Sequence, residues 1–182
     1  MDSDNPIGAD NQQETRLTHL DPWWVAGFVD GEGCFSVSIH RNELARPTGG
    51  WHVQPTFQVS QHRAQRHILE SLRGFFDCGQ VRSKGPNSSV DVYTVHSTIQ
   101  LEEGIIPFFK RYPLRVKGDD FAVFAQIVRA IRARSHHHPD VFNEVVRLAY
   151  SMNARGKQRK RPIEAILMGS SETAREVPPL GW

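Results

Sequence analysis

Two carboxylates, Asp30 and Glu32, are the side chains whose type and spacing are best suited to chemistry. They lie in the segment VAGFVDGEG at positions 25–33, where an apolar stretch ends. If that stretch is a helix, both negative charges stand at the negative end of its dipole, where each is disfavoured by roughly 0.3–1 kcal/mol. A divalent cation would compensate both charges. The helix end is therefore a candidate metal site.

The helix that must carry these carboxylates has recognisable start signals. Asp21 is a suitable N-cap and Pro22 suits the first turn, and WWVAGFV follows as an almost wholly apolar segment. Such a helix should be buried nearly all round. The small residues Ala26, Gly27 and Gly31 allow another backbone to come close, and a second copy of the same helix would satisfy that requirement.

The rest of the chain alternates between strand and helix patterns. Apolar and polar residues alternate in GCFSVSIHR and, after RPTGG, in WHVQPTFQVSQ, which predicts a β-hairpin. A helical stripe in AQRHILESLRGFF precedes a second hairpin made of GQVRSK and VDVYTVH, and three helical segments follow. The order αββαββα predicts a mixed α+β fold, with a four-stranded, mainly antiparallel sheet covered by helices on one face.

The sheet face without helices would carry mostly hydrogen-bonding side chains. Any antiparallel sheet can show a polar face to water, but several glutamines and few acids favour contacts with base edges and phosphates. We call this set the polar face: Ser36, Ser38, His40, Gln54, Thr56, Gln58, Gln80, Arg82, Lys84 and Thr94.

Composition sets wider limits. Twenty-two Lys and Arg against 20 Asp and Glu give a net charge of +2 and permit a nucleic-acid partner without requiring one. Cys34 and Cys78 have no metal-ligand or redox spacing, so we interpret both as core thiols in a reducing compartment. With no signal peptide and no apolar stretch long enough for a bilayer, we expect a soluble intracellular protein.

Three further segments are interpreted from their composition. Residues 1–18 and 169–182 are predicted flexible tails around one domain, 19–168. His136, His137 and His138 precede Pro139, which is typical of an exposed turn between helices. The basic stretch from Arg155 to Arg161 is either a solvated tail or a phosphate clamp.

The segment VAGFVDGEG resembles the motif of the LAGLIDADG homing endonuclease family, with Glu32 in place of the second Asp. It closes an apolar helix and leads directly into an alternating strand, as in the family. TFQVSQ, HRAQRH, VRSKG and PLRVKGDDF also resemble the single-motif, homodimeric, intron-encoded branch. The resemblance covers roughly residues 20–152.

This resemblance implies a saddle-like sheet that lies along the DNA major groove, with two motif helices packed at the dimer axis. Gly31, through its carbonyl, and Glu32 would bind the metal, with Mg²⁺ as the expected ion. Mn²⁺ would substitute for it, and Ca²⁺ would support binding without efficient cleavage. The interface would include Trp24, Ala26, Gly27, Phe28 and Asp30, of which Asp30 would have a structural role, hydrogen-bonding backbone at the helix interface.

The resemblance also assigns residues around the metal. Gln61 lies where the family keeps a polar residue that orders the attacking water, and Lys117 where it keeps a basic residue near the active site. The family's second basic position falls here on Gln65, which leaves open whether Arg63 or Arg66 replaces it. Arg41, Arg63 and Arg66 are further expected DNA contacts.

The implied activity is site-specific, metal-dependent cleavage of both strands of a long pseudo-palindromic DNA target. One alternative is an RNA maturase that binds its host intron RNA, and another is a non-catalytic DNA-binding protein on the same fold. Retention of Glu32, Gln61 and Lys117 together favours the nuclease. The expected compartment is bacterial cytoplasm or an organelle.

Overall fold

The architecture follows the predicted order of elements. The computed structural model describes residues 20–42, 44–152 and 161–167, so both predicted tails lie outside the described residues. Helix α1 spans Pro22–Glu32, and the Asp21 carboxylate accepts a hydrogen bond of 2.9 Å from the Trp24 N–H, which confirms the predicted cap.

Helix α1 is buried on one side only. Val25, Ala26 and Val29 enter the core, whereas Trp23 is 59% exposed and Trp24 is 42% exposed. Within the described residues, burial nearly all round is therefore not observed. An apolar helix with two exposed tryptophans has a face that the described part of the chain does not cover.

Four antiparallel strands form one sheet in the order β1-β2-β4-β3. They are β1 (Gly33–Arg41), β2 (Trp51–His62), β3 (Gln80–Ser83) and β4 (Val90–Val95). The two hairpins join through their second strands, with Phe57 opposite Val95 and Val59 opposite Tyr93. Because side chains alternate along a strand, this register sends the apolar set to one side and the polar face to the other, as predicted.

Helices cover the apolar side of the sheet. Helix α2 spans Arg66–Phe76 between the hairpins. Helix α3 is continuous over residues 98–111 and consists of Thr98–Gln100, a π-helical stretch Leu101–Ile105 and Ile106–Arg111. Helices α4 (Gly118–Arg132) and α5 (Pro139–Ser151) follow, and a helical turn at 163–167 places Ile166 in the core.

Aromatic side chains fix the first hairpin against the helices. Phe35 of β1 stacks on Phe57 of β2 with ring centroids 5.2 Å apart, and it meets Phe109, Phe121 and Phe124 at 5.2–5.6 Å. Edge-to-face and tilted contacts of this kind add to the gain from apolar burial. Residue 33, which links α1 to β1, is thus only two positions from the centre of the core. The helices of the described ranges include none long and apolar enough to cross a membrane.

Gly33 allows α1 to pass into β1 without a break. Its N–H donates to the Val29 carbonyl, and a Cβ at this position would lie 2.6 Å from Val29 Cγ1 and 2.7 Å from the Val29 oxygen. No side chain fits there unless the helix end moves. The last glycine of VAGFVDGEG is therefore a packing requirement that also sets where Glu32 stands.

We predict that Gly33→Ala lowers the free energy of unfolding by roughly 1–3 kcal/mol through this overlap. Gly74→Ala is the matched control, because Gly74 lies in α2 with open space where its Cβ would be. It should raise stability by roughly 0.5–1 kcal/mol, the usual gain for alanine within a helix. Urea unfolding of both variants makes the measurement, and an unchanged midpoint for Gly33→Ala would contradict the packing argument.

Candidate active site and nucleic-acid interface

The two acidic residues of α1 differ sharply in their surroundings. The Asp30 carboxylate accepts backbone N–H groups from Arg115, Val116 and Lys117 at 2.8–3.1 Å. Partial burial raises the pKa of Asp30, but these donors more than offset it and hold the pKa below its ordinary value. Glu32, by contrast, is exposed. Asp30 is therefore structural, as predicted, but its carboxylate holds loop 115–117 of its own chain rather than marking a dimer contact.

Lys117 also donates its side-chain ammonium to the end of α1, in addition to its backbone N–H. Its ammonium donates to the carbonyl of Gly31 at 2.9 Å, to that of Val29 at 3.3 Å and to that of Asp30. The last carbonyls of a helix have no partner within the helix and carry its negative dipole end. A cation thus already sits beside the Gly31 carbonyl, which shows that this helix end accommodates positive charge.

The oxygen donors present fit a hard divalent cation. Gly31 contributes a carbonyl and Glu32 an exposed carboxylate, both of the type preferred by Mg²⁺ and Ca²⁺. The described residues contain no group of three His, Cys, Asp or Glu side chains that could hold a metal by themselves. A metal at this position would need further oxygens from water, from a phosphate or from a second subunit.

The uncovered side of α1 is a stripe at helical spacing that includes Trp24, Gly27, Phe28 and Gly31. The rings of Trp24 and Phe28 stack at 4.9 Å with an interplanar angle of 11°. A Cβ on Gly27 or Gly31 would meet nothing within 4 Å. This stripe combines apolar rings with two glycines, which allows the backbone of another helix to come close. Ala26 does not belong to it, because it is 4% exposed and faces its own core, so its predicted interface role is wrong.

The polar face lies on the side of the sheet opposite the helices. Strand pairing sets Ser36 opposite Thr56, Ser38 opposite Gln54, and Arg82 opposite Val92. Arg82 and Lys84 are exposed and line a shallow concavity with Gln58 and Ser60. The concavity offers amide, hydroxyl and cationic groups side by side, which matches the donors and acceptors of a DNA groove.

Histidines extend this face further than the sequence interpretation did. Strand alternation places His52, His62 and His96 on the polar face as well. They were not among the predicted site residues, although the same alternation could have found them. The His40 and His52 rings are 5.0 Å apart, and His96 Nδ1 lies 3.1 Å from the Thr56 hydroxyl. Partial burial, with His40 nearby, lowers the pKa of His52, which favours the neutral ring with one donor and one acceptor.

Three predicted DNA contacts are corrected by the structure. Thr94 and Thr56 lie on the polar face by strand alternation but are only 1% and 8% exposed. Arg41 has the opposite parity and lies opposite Trp51. Its guanidinium donates to the Gly49 carbonyl at 2.9 Å and stacks 4.2 Å from the Trp51 ring centroid, so it holds the hairpin end.

Arg63 and Arg66 both pair with Asp91, a carboxylate that is 1% exposed. Arg66 donates to Asp91 at 2.9 Å and to Glu70 at 3.0 Å, and the bond with Asp91 is the main reason that the pKa of Arg66 is raised. Arg63 also donates to Ser83 at 2.9 Å. These arginines therefore connect the end of β2 and the start of α2 to the second hairpin, and their guanidinium groups are committed within the chain.

Gln61 lies near the end of β2, half-buried and opposite Asp91. By strand alternation it lies on the same side of the sheet as Val59, not on the polar face. Gln65 is exposed in the turn before α2. Of the two thiols, Cys78 is half-buried against Tyr93, but Cys34 lies on the polar face opposite Gln58, so its interpretation as a core thiol is wrong.

Two other sequence features fall partly inside the described residues. Ser135–His137 form a 3-10 turn between α4 and α5, which confirms the predicted interhelical turn. Arg161 lies 5.4 Å from the Trp51 ring, while the rest of the basic stretch, residues 155–160, is outside the described ranges.

Comparison with known proteins agrees with this geometry. The family profile described as LAGLIDADG endonuclease matches residues 25–128, which is more than half of the chain. Homing endonuclease I-ApeII of Aeropyrum pernix is 30% identical over 148 residues, covering 79% of this chain and 86% of that protein. Other curated relatives are longer: the chain spans 26% of an uncharacterised 50.9 kDa protein in ND4 intron 1 of Podospora anserina, at 33% identity.

Solved structures show the same fold. The archaeal intron-encoded homing endonuclease I-Vdi141I complexed with DNA is 25% identical, with a TM-score of 0.77 over 85% of this chain and 96% of that one. I-SmaMI bound to an uncleaved DNA target in the presence of calcium ions is 31% identical, with a TM-score of 0.72 over 81% of this chain and 48% of that one. The fold, the α1 motif and these matches define the class of protein. The chain belongs to the LAGLIDADG endonuclease family.

Proposed function

We propose that this protein is a homing endonuclease that cuts both strands of a long pseudo-palindromic DNA site as a metal-dependent homodimer. One observation carries the proposal: the Gly31 carbonyl and the Glu32 carboxylate, the oxygens that we propose bind the metal, lie where α1 passes directly into β1 of the polar face. Since a sheet laid along a groove contacts bases and flanking phosphates together, a phosphate would come next to the exposed Glu32 carboxylate. The named relatives that cut or bind DNA support the same conclusion.

Glu32 and the Gly31 carbonyl would hold the cation, and Mg²⁺ suits them because it prefers oxygen ligands. When bound, it would supply positive charge to the scissile phosphate and lower the pKa of a water. Glu32 keeps the charge at the phosphate, Lys117 adds a positive group beside it, and Gln61 orients the water. The I-SmaMI complex with calcium and uncleaved DNA supports calcium as an ion that permits binding without efficient cutting here.

Glu32→Gln tests the metal assignment. It keeps the size of the side chain and removes its charge, so cleavage of the cognate duplex with Mg²⁺ should fall by at least about a hundredfold, the order expected when charge stabilisation is lost. Binding measured in calcium should not weaken, because affinity comes from the polar face and the variant removes a negative charge near phosphates.

Glu144→Gln is the control for Glu32→Gln, because Glu144 is an exposed carboxylate of α5 on the helix-covered side. It should cut like the wild type. Near wild-type cutting by Glu32→Gln would place the metal elsewhere. A cognate duplex is obtained by selecting cleaved molecules from a randomised library.

We propose a dimer because each chain supplies one acidic cluster, whereas cleavage of both DNA strands needs two such clusters. The stripe Trp24, Gly27, Phe28 and Gly31 would pack against its symmetry mate, in which the same residues face each other across a two-fold axis. Identical sheets would then contact the two half-sites, which explains a pseudo-palindromic target.

Light scattering should give a protein mass of twice the chain mass of 20.7 kDa, both for the free protein and, after the mass of the duplex is subtracted, for the complex with DNA. Gly27→Leu would place a bulky side chain in the stripe and should shift the free protein toward monomer without unfolding it, since the position is open in the single chain. A monomer on cleaved duplex DNA would overturn the dimer proposal.

Arg82→Ala tests the polar face. If Arg82 contacts a guanine, the variant should lose roughly 1–3 kcal/mol of binding free energy and relax specificity at that base. If it contacts a phosphate, all sequences should weaken equally and the salt slope should fall by about 0.9. Fluorescence anisotropy in calcium at several salt concentrations separates the two cases. Arg129→Ala on α4 is the control, and equal affinity and slope for both variants would remove Arg82 from the interface.

A further inference from the structure

The end of α1 is already neutralised by a cation that belongs to the chain. The Lys117 ammonium contacts the carbonyls of Val29, Asp30 and Gly31, three consecutive acceptors at the negative end of the helix. Its backbone is fixed at the same time, because the Lys117 N–H donates to Asp30 at 2.9 Å. Both the backbone and the side chain of Lys117 are therefore hydrogen-bonded to α1.

Two cations, the Lys117 ammonium and the proposed divalent ion, would bind the same carbonyl oxygen, that of Gly31. Gly31 accepts the Lys117 ammonium at 2.9 Å, and it is also the carbonyl that would bind the divalent ion. A carbonyl oxygen has two lone pairs, but an ammonium and a divalent ion on one oxygen would stand within a few ångströms of each other and repel strongly. Simultaneous full occupancy is thus disfavoured, and one cation must weaken the other.

We propose that Lys117 is a built-in competitor for the divalent metal: its ammonium occupies the α1 end in the metal-free protein and leaves the Gly31 carbonyl when the metal binds. This inference rests on the proposed metal site at Gly31 and Glu32. Asp30 makes the exchange local, because its bonds to residues 115–117 keep the Lys117 backbone in place while the side chain moves. The released ammonium stays next to the site, where it can face a phosphate oxygen.

The competition has a regulatory consequence. The metal-free protein keeps its helix end capped, and free metal binds weakly because it must displace the ammonium. DNA changes the balance, since a phosphate offers the released ammonium a new partner and the metal a new ligand. Metal and DNA should therefore bind cooperatively, with each raising the affinity of the other by the same factor.

Calcium titration of the 182-residue chain by calorimetry tests the competition without cleavage. Lys117→Met keeps the length of the side chain and removes the ammonium, so calcium should bind the DNA-free variant at least about fivefold more tightly, the lower range for coupled sites. Lys110→Met removes an exposed lysine at the end of α3 and should leave affinity unchanged. Equal or weaker calcium binding by Lys117→Met would overturn the proposal.

A second measurement separates displacement from simple charge repulsion. In ¹⁵N-labelled wild-type protein, the Lys117 ammonium signal should be visible through slow hydrogen exchange, and calcium should shift it and speed its exchange. Lys117→Arg keeps the charge and identifies the signal by its absence. A signal that calcium leaves unchanged at saturation would mean that the ammonium stays in place, and the proposal would be wrong even if Lys117→Met tightened binding.

Glu32→Gln distinguishes this inference from the proposed function. If Glu32→Gln loses calcium binding while Lys117→Met binds like the wild type, the metal site stands and the competition fails. If Glu32→Gln binds calcium as well as the wild type, the metal site itself is misplaced, and the competition falls with it.

Discussion

The negative end of α1 is the constraint on which the rest of the site depends. A helix end with unpaired carbonyls and two carboxylates is unfavourable in isolation, and two kinds of donor offset most of it here. Backbone N–H groups satisfy Asp30, the Lys117 ammonium satisfies the carbonyls, and Glu32 stays exposed. The structure thus neutralises everything at this end except the one carboxylate that the proposed chemistry needs.

The second constraint is the two-sided sheet that starts where α1 ends. Because the side-chain period of a strand is two, the same strands that bury Phe35 and Phe57 must present Ser36 and Gln58 on the opposite face. A packed core therefore determines the orientation of the polar face. Gly33 joins α1 directly to β1 with no intervening loop. The distance between Glu32 and the first residues of the polar face is therefore fixed by covalent geometry and packing.

The second hairpin has its own anchor. It carries Arg82, and it is tied to the first hairpin through the buried Asp91 and its arginine partners. Breaking a buried ion pair from one side is costly, since the remaining charge has no solvent to stabilise it. Arg63 and Arg66 therefore hold the second half of the polar face in position, a role that the sequence interpretation did not include.

Local spacing along the chain is enough to predict the order of elements, the cap at Asp21, the side of the sheet on which the polar residues lie and the importance of VAGFVDGEG. It did not determine that Asp30 holds residues 85 positions away, that Asp91 collects two arginines, or that Thr94 is covered. Parity predicts which side of a sheet a residue faces, but not how its neighbours shield it. Charged groups find partners far along the chain only when distant segments pack together. The hydrogen bond from the Lys117 ammonium to the Gly31 carbonyl is therefore visible only in the tertiary structure.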